Sequence, residues 1–66
     1  MIRIVINDVE EVHEPLTLQK LVQQKDLPPD RVVVELNETI ITRTLWGKTS
    51  LKDGDRLELV RFVGGG

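Results

Sequence analysis

The chain has 66 residues, room for one small domain, and at this length only about 60% of the surface of the unfolded form is buried on folding. That argues against a self-contained enzyme with a deep cleft. Cysteine is absent and histidine occurs once, which excludes disulfides, thiolate nucleophiles and Cys-based metal sites and makes a histidine-rich one unexpected; nine basic against eleven acidic residues give a net charge of −2, scattered along the chain rather than gathered into the basic stripe that nucleic acid requires.

The first segment alternates, with Ile2, Ile4 and Ile6 on one side and Arg3 and Val5 on the other, the period of a half-buried strand. This start is too short for a signal core or a membrane span, and a cytoplasmic location is the default expectation. Asn7-Asp8 supplies turn chemistry. Val9 to Glu14 then reads as a second, more polar strand in which Val12 is the clearest apolar residue and Glu10, Glu11 and Glu14 form a solvated edge that discourages pairing with other molecules.

Pro15 ends that strand. Thr17 is an N-cap for a helix in which Leu18, Leu21 and Val22 recur at i, i+3, i+4, and Leu16 and Leu21 have the spacing of a hydrophobic staple. The helix is expected to run to Lys25 or Asp26, because Leu27-Pro28-Pro29 cannot continue it. Arg31 to Asn37 alternates again, with Val32, Val34 and Leu36 opposite Val33 and Glu35. Asn37-Glu38 turns into Thr39-Ile40-Ile41. No period is sustained from Thr42 to Lys52, which reads as a wrap-around loop with room for a single helical turn near Trp46-Gly47. Asp53-Gly54-Asp55 makes a tight turn into a final strand, Arg56 to Val63.

The order ββαβββ in so short a chain predicts an α+β β-grasp: a mixed sheet with one helix packed across one face and the first and last strands side by side in the middle. Residues 1–63 form this domain. Residues 64–66 are three consecutive glycines, expected to be a flexible, extended tail because glycine loses the most conformational entropy on ordering.

That tail is the candidate site. A terminal carboxyl is ionised at neutral pH and is a poor electrophile until activated; adenylation with ATP and Mg²⁺ is one way a partner enzyme can activate it, and an arm without Cβ atoms can thread a narrow channel while the body docks outside. In the final strand Val60 and Phe62 lie opposite Leu57 and Leu59, so with Val63 they form an expected docking patch beside the tail, and Val5 and Val33 are possible neighbours. Arg61 reads as a solvated arginine. Trp46 reads as a cover over one end of the core. His13, lacking a second histidine or a cysteine, reads as an exposed strand residue rather than a ligand.

Taken together, the β-grasp order, the Asp53-Gly54-Asp55 turn, the Thr17-Leu18 helix start followed by Leu21, the Arg43-x-x-Trp46 spacing and the ending Phe62-Val63-Gly64-Gly65-Gly66 resemble the ubiquitin-like sulfur carriers, and most of all the thiamine-biosynthesis (ThiS) family. The resemblance covers the whole chain. It implies that Gly66 is adenylated by an E1-like activating enzyme and converted to a thiocarboxylate, with Gly64 and Gly65 threading the partners' active sites. It further implies that a sulfur-donating enzyme supplies the sulfur and that thiazole synthase receives it. The protein would then be a cosubstrate and not an enzyme, with no bound cofactor, no metal, no nucleic-acid or membrane partner, and a monomeric free state. The molybdopterin-synthase small subunit shares the fold and the Gly-Gly end, and an inert ubiquitin-like interaction module or a modifier conjugated to lysines remains open as well.

Overall fold

The computed structural model describes residues 1–63; the expectations for Gly64, Gly65 and Gly66 lie outside them. Ile2–Ile6 forms β1 and Val9–His13 forms β2. They are joined through Asn7 and Asp8 at φ 49° and 67°, the pair of positive values that a two-residue I′ hairpin demands and that asparagine and aspartate tolerate. The same device recurs at Asn37 and Glu38, φ 49° and 70°, between β3 (Val32–Leu36) and β4 (Thr39–Ile41). Gly54, at φ 90°, turns the chain into β5 (Arg56–Arg61).

The helix, α1 (Leu18–Gln24), starts where its cap predicts: the Thr17 hydroxyl accepts a hydrogen bond from the Lys20 N–H at 3.2 Å. Its stripe of Leu18, Leu21 and Val22 is buried. Asp26 takes a left-handed φ of 56°, a common way for a helix to end, and the two prolines that follow lead into a short 3₁₀ turn, Pro29–Arg31.

The strands form one sheet in the order β2-β1-β5-β3-β4, with β1 and β5 parallel and the other pairs antiparallel. This is the expected mixed β-grasp sheet, with β5 in the centre and β1 beside it. Ile4, Ile6, Val32, Val34, Leu57 and Leu59 from the sheet pack with Leu18, Leu21, Val22, Trp46 and Leu51 in a single core. One helix covers one face only.

Three expectations need correction. The loop after β4 contains a 3₁₀ helix, Arg43–Lys48, which extends beyond a single turn. Within it Trp46 covers the core as expected, 3% exposed, with its indole N–H donating to the Ile41 carbonyl at 2.9 Å. The loop is then fastened to the helix entry by Leu18 N–H to Thr49 O and Leu51 N–H to Leu16 O, both 2.9 Å. Gly47 passes so close to the side-chain amide of Gln19 that a Cβ would lie 2.6 Å from its Oε1.

The second correction concerns β2. Its register sets His13 opposite Ile2 and Glu11 opposite Ile4, so these two polar residues hold the helix-side positions, while Val12 sits on the other face and is 51% exposed. Glu11 is therefore not part of a solvated edge and His13 is not exposed. Both are half-buried because Lys25, at the end of α1, reaches over the edge strand to Glu11, which also bonds His13 Nε2 at 2.8 Å.

The third concerns strand ends: β2 stops at His13, β3 spans Val32–Leu36, and β5 stops at Arg61 rather than Val63. Beyond Arg61, a ladder bond from Phe62 N–H to Arg31 O at 3.0 Å extends the β5 pairing among the described residues.

Candidate functional site

The period of two in β5 divides its side chains between the faces. Leu57 and Leu59 enter the core, whereas Val60 and Phe62 lie on the uncovered face, 54% and 48% exposed. Antiparallel register places Val33 directly beside Val60, and parallel register places Val5 beside Arg56 on the same face. Val33 is exposed and Val5 half-buried. The structure thus brings Val60, Phe62 and Val33 together as an apolar surface at the end of the sheet from which the tail leaves. Val63, the last described residue, is 81% exposed.

Ile40 was missed in the sequence reading. It pairs with Glu35 in register and is exposed, which puts it on the same open face. The signal was present in Thr39-Ile40-Ile41, since in a strand only one of two consecutive isoleucines can face the core. Further from the tail the open face becomes acidic. Glu35 stands opposite Glu58, an arrangement of like charges that works against the ladder, and with Asp8, Glu38, Asn37 and Arg56 they line a recess of about 280 Å³.

The backbone of β5 is held on both sides. Its residues at even positions bond β3, as the Asn37 N–H to Arg56 O contact of 2.8 Å and the Phe62 N–H contact with Arg31 show. Those at odd positions face β1. Asn7 N–H donates to Leu57 O at 2.9 Å, and where β1 has ended the Asn7 side chain continues in its place: Oδ1 accepts from Leu59 N–H at 2.8 Å and Nδ2 donates to Leu59 O at 3.2 Å.

On the helix side, the Lys25 ammonium holds the Glu11 carboxyl below its ordinary range. The hydrogen bond from Lys25 is the main cause; partial burial opposes it and His13 adds to it. Among the described residues, no group of three or more histidines or carboxylates is arranged to hold a metal ion, and no helix is long and apolar enough to cross a membrane.

A mixed sheet in the order β2-β1-β5-β3-β4 with one helix across one face defines an α+β protein of the ubiquitin-like β-grasp class. Residues 2–66 match the model of the ThiS family. The sulfur carrier protein ThiS of Bacillus subtilis is 37% identical over 59 residues, 89% of each chain. The crystal structure of a thiamine biosynthesis protein (ThiS) from Geobacter metallireducens superposes with a TM-score of 0.83 at 29% identity, over 98% of this chain and 100% of that one. The chain belongs to the ThiS family and is a ThiS-type sulfur carrier of the ubiquitin-like β-grasp fold. An uncharacterized protein, ycf40, of Pyropia yezoensis is 43% identical over 53 residues, 80% of this chain and 75% of that protein. A thiazole synthase of Paramagnetospirillum magneticum is 32% identical over 65 residues, which are 97% of this chain and only 20% of that protein.

Proposed function

We propose that this protein carries sulfur for the thiazole ring of thiamine as a thiocarboxylate on Gly66, acting in the cytoplasm as a cosubstrate of other enzymes rather than as a catalyst. The Gly66 carboxylate attacks the α-phosphate of ATP in an E1-like adenylating enzyme that holds the Mg²⁺, giving an acyl-adenylate and pyrophosphate. Hydrosulfide released by a sulfur-donating enzyme then attacks the acyl carbon, the acyl–phosphate bond breaks with AMP leaving, and loss of the thiol proton gives the thiocarboxylate. The thiocarboxylate passes to thiazole synthase, and Gly64 and Gly65 let the arm enter each active site because nothing larger than hydrogen projects from them. Val60, Phe62 and Val63 dock the body outside.

The observation that carries this reading is the apolar open face at Val33, Val60 and Phe62, adjoining the glycine tail in a chain of the ThiS family. Support for thiazole synthase as recipient comes from the thiazole synthase that contains a segment similar to nearly the whole chain. The test is intact-mass measurement after incubation with ATP, a sulfur source and the activating enzyme. Replacement of one oxygen by sulfur is expected; an unchanged mass, under conditions that thiocarboxylate a Bacillus subtilis ThiS control, overturns the proposal. Reconstituted thiazole synthesis, run beside pterin synthesis, distinguishes the thiamine pathway from the molybdopterin one.

A further inference from the structure

The parallel pairing of β1 with β5 ends early. Only Val5 and Ile6 pair with β5 in register, after which the chain turns away through Asn7 and Asp8 into β2, while β5 continues to Arg61. Asn7 extends the pairing as far as Leu59. The alternation that sends Arg56, Val60 and Phe62 toward β3 points the N–H and C=O of Arg61 the other way, into the lane that β1 has vacated. Neither group has a hydrogen-bond partner among the described residues.

That lane is also a groove. A depression of about 440 Å³ lies there on the helix side of the sheet, between the β1–β2 turn, the end of α1 and the end of β5. Ile6, Val9, Leu27 and Leu59 make its apolar lining, and Lys25, Glu11 and Arg61 stand at its rim. The charges are unevenly satisfied. Glu11 already accepts from both Lys25 and His13, whereas the Arg61 guanidinium is in no ion pair among the described residues.

An open strand edge beside an apolar depression is the combination used in β-strand addition, where main-chain hydrogen bonds supply affinity and a pocket selects a side chain. We infer that this groove receives an extended segment of the enzyme that takes the tail, paired with the Arg61 backbone, with an apolar side chain on Ile6, Val9, Leu27 and Leu59 and an acidic one on the Arg61 guanidinium. The inference rests on the carrier reading above and adds to it a second contact, on the helix side of β5, distinct from the open-face patch at Val60 and Phe62. Together they grip the strand from both faces immediately before the tail. Charge complementarity sets the acidic residue. The position of the groove beside the last strand makes a tail-receiving enzyme its occupant, because any protein that encloses the tail must pass along the end of β5.

The experiment measures amide hydrogen exchange of the full chain, free and mixed separately with the activating enzyme and with thiazole synthase, and compares the affinities of the Arg61→Ala and Arg61→Pro variants. The Val60 amide, bonded to β3 throughout, is the internal control. The Arg61 amide is expected to exchange rapidly in the free protein and slowly in at least one complex. Arg61→Pro removes that N–H without breaking a bond to β3, a placement in which a strand tolerates proline. It is expected to bind about tenfold more weakly than Arg61→Ala, the loss of roughly one net hydrogen bond. If both enzymes bind while the Arg61 amide remains unprotected, the groove proposal is overturned and the carrier reading stands. If the amide is protected but the two variants bind equally, strand addition is likewise wrong. Failure of either enzyme to bind at all sinks the carrier reading and the groove's occupant with it. Concentration-dependent protection in the protein alone assigns the groove to a second copy and overturns the occupant named here. Should Arg61→Pro fail to fold, exchange at the wild-type Arg61 amide still decides.

Discussion

Asn7 bonds Leu59 twice through one side-chain amide, accepting from its N–H at 2.8 Å and donating to its carbonyl at 3.2 Å. A turn residue thereby does the work of a missing strand residue, two residues before β5 ends at Arg61. Because Asn7 also adopts φ 49°, its identity serves both the hairpin and the central strand. Replacement by alanine is expected to cost about 1–3 kcal/mol, from two partly buried groups left without partners and a left-handed φ that alanine resists. Chemical denaturation measures it, and Asn7→Gly, which relieves only the backbone, is expected to recover a fraction of the loss.

The stability of a chain this small, scaled per residue, is of the order of 3–10 kcal/mol. Leu21 is fully buried in the single core. Leu21→Ala is expected to cost about 2–5 kcal/mol, enough to populate the unfolded state visibly in thermal or urea unfolding; a loss well under this range would show that the core closes around the vacancy.

Glu11 has a lowered pKa because Lys25 bonds its ionised form. Its stabilising effect is present above the unfolded-state value, about 4.3, and is lost as pH falls through the lower folded-state value. Stability is therefore expected to decline on acidification below about pH 5, through the carboxylate range. In Glu11→Gln the acid-side slope should be shallower. Unfolding midpoints recorded between neutral and acid pH check the difference, and an unchanged slope would remove Glu11 as its source.

Phe62 lies on the open face, outside the core. Phe62→Asp is expected to change stability by no more than about 0.5 kcal/mol while weakening binding to the activating enzyme at least about tenfold, the loss expected when an interface anchor is truncated. Calorimetric titration against that enzyme, beside a denaturation curve, separates the two effects.

Among the described residues the buried core cluster runs from Ile4 to Leu59. Deletion of Gly66 is accordingly expected to leave the unfolding transition in place and to abolish thiocarboxylate formation. Retained sulfur transfer by the truncated chain would refute the assignment of the carboxylate.

Much of the fold was legible because strands and helix here obey their simple periods. Ile2, Ile4 and Ile6, Leu18, Leu21 and Val22, and Leu57 and Leu59 announce their inner faces by spacing alone, and the Asn7-Asp8, Asn37-Glu38 and Gly54 positions by their tolerance of positive φ. The exposed pair Val60 and Phe62 followed from the same alternation. The 3₁₀ helix at Arg43–Lys48 was not legible in this way, since a short, irregular segment that buries chiefly Trp46 carries no period to detect.

The sequence by itself determined the element order, the inner face of each principal strand, the absence of thiol and disulfide chemistry, and the apolar strand end that runs into three glycines. It could do so because these properties depend on residue type and local spacing. Only the tertiary structure decided that Glu11 and His13 are half-buried beneath Lys25, that Val12 faces outward, and that β1 stops short and leaves the Arg61 edge open. Each of these depends on register between segments distant in the chain, and a shift of one residue in a strand exchanges its two faces.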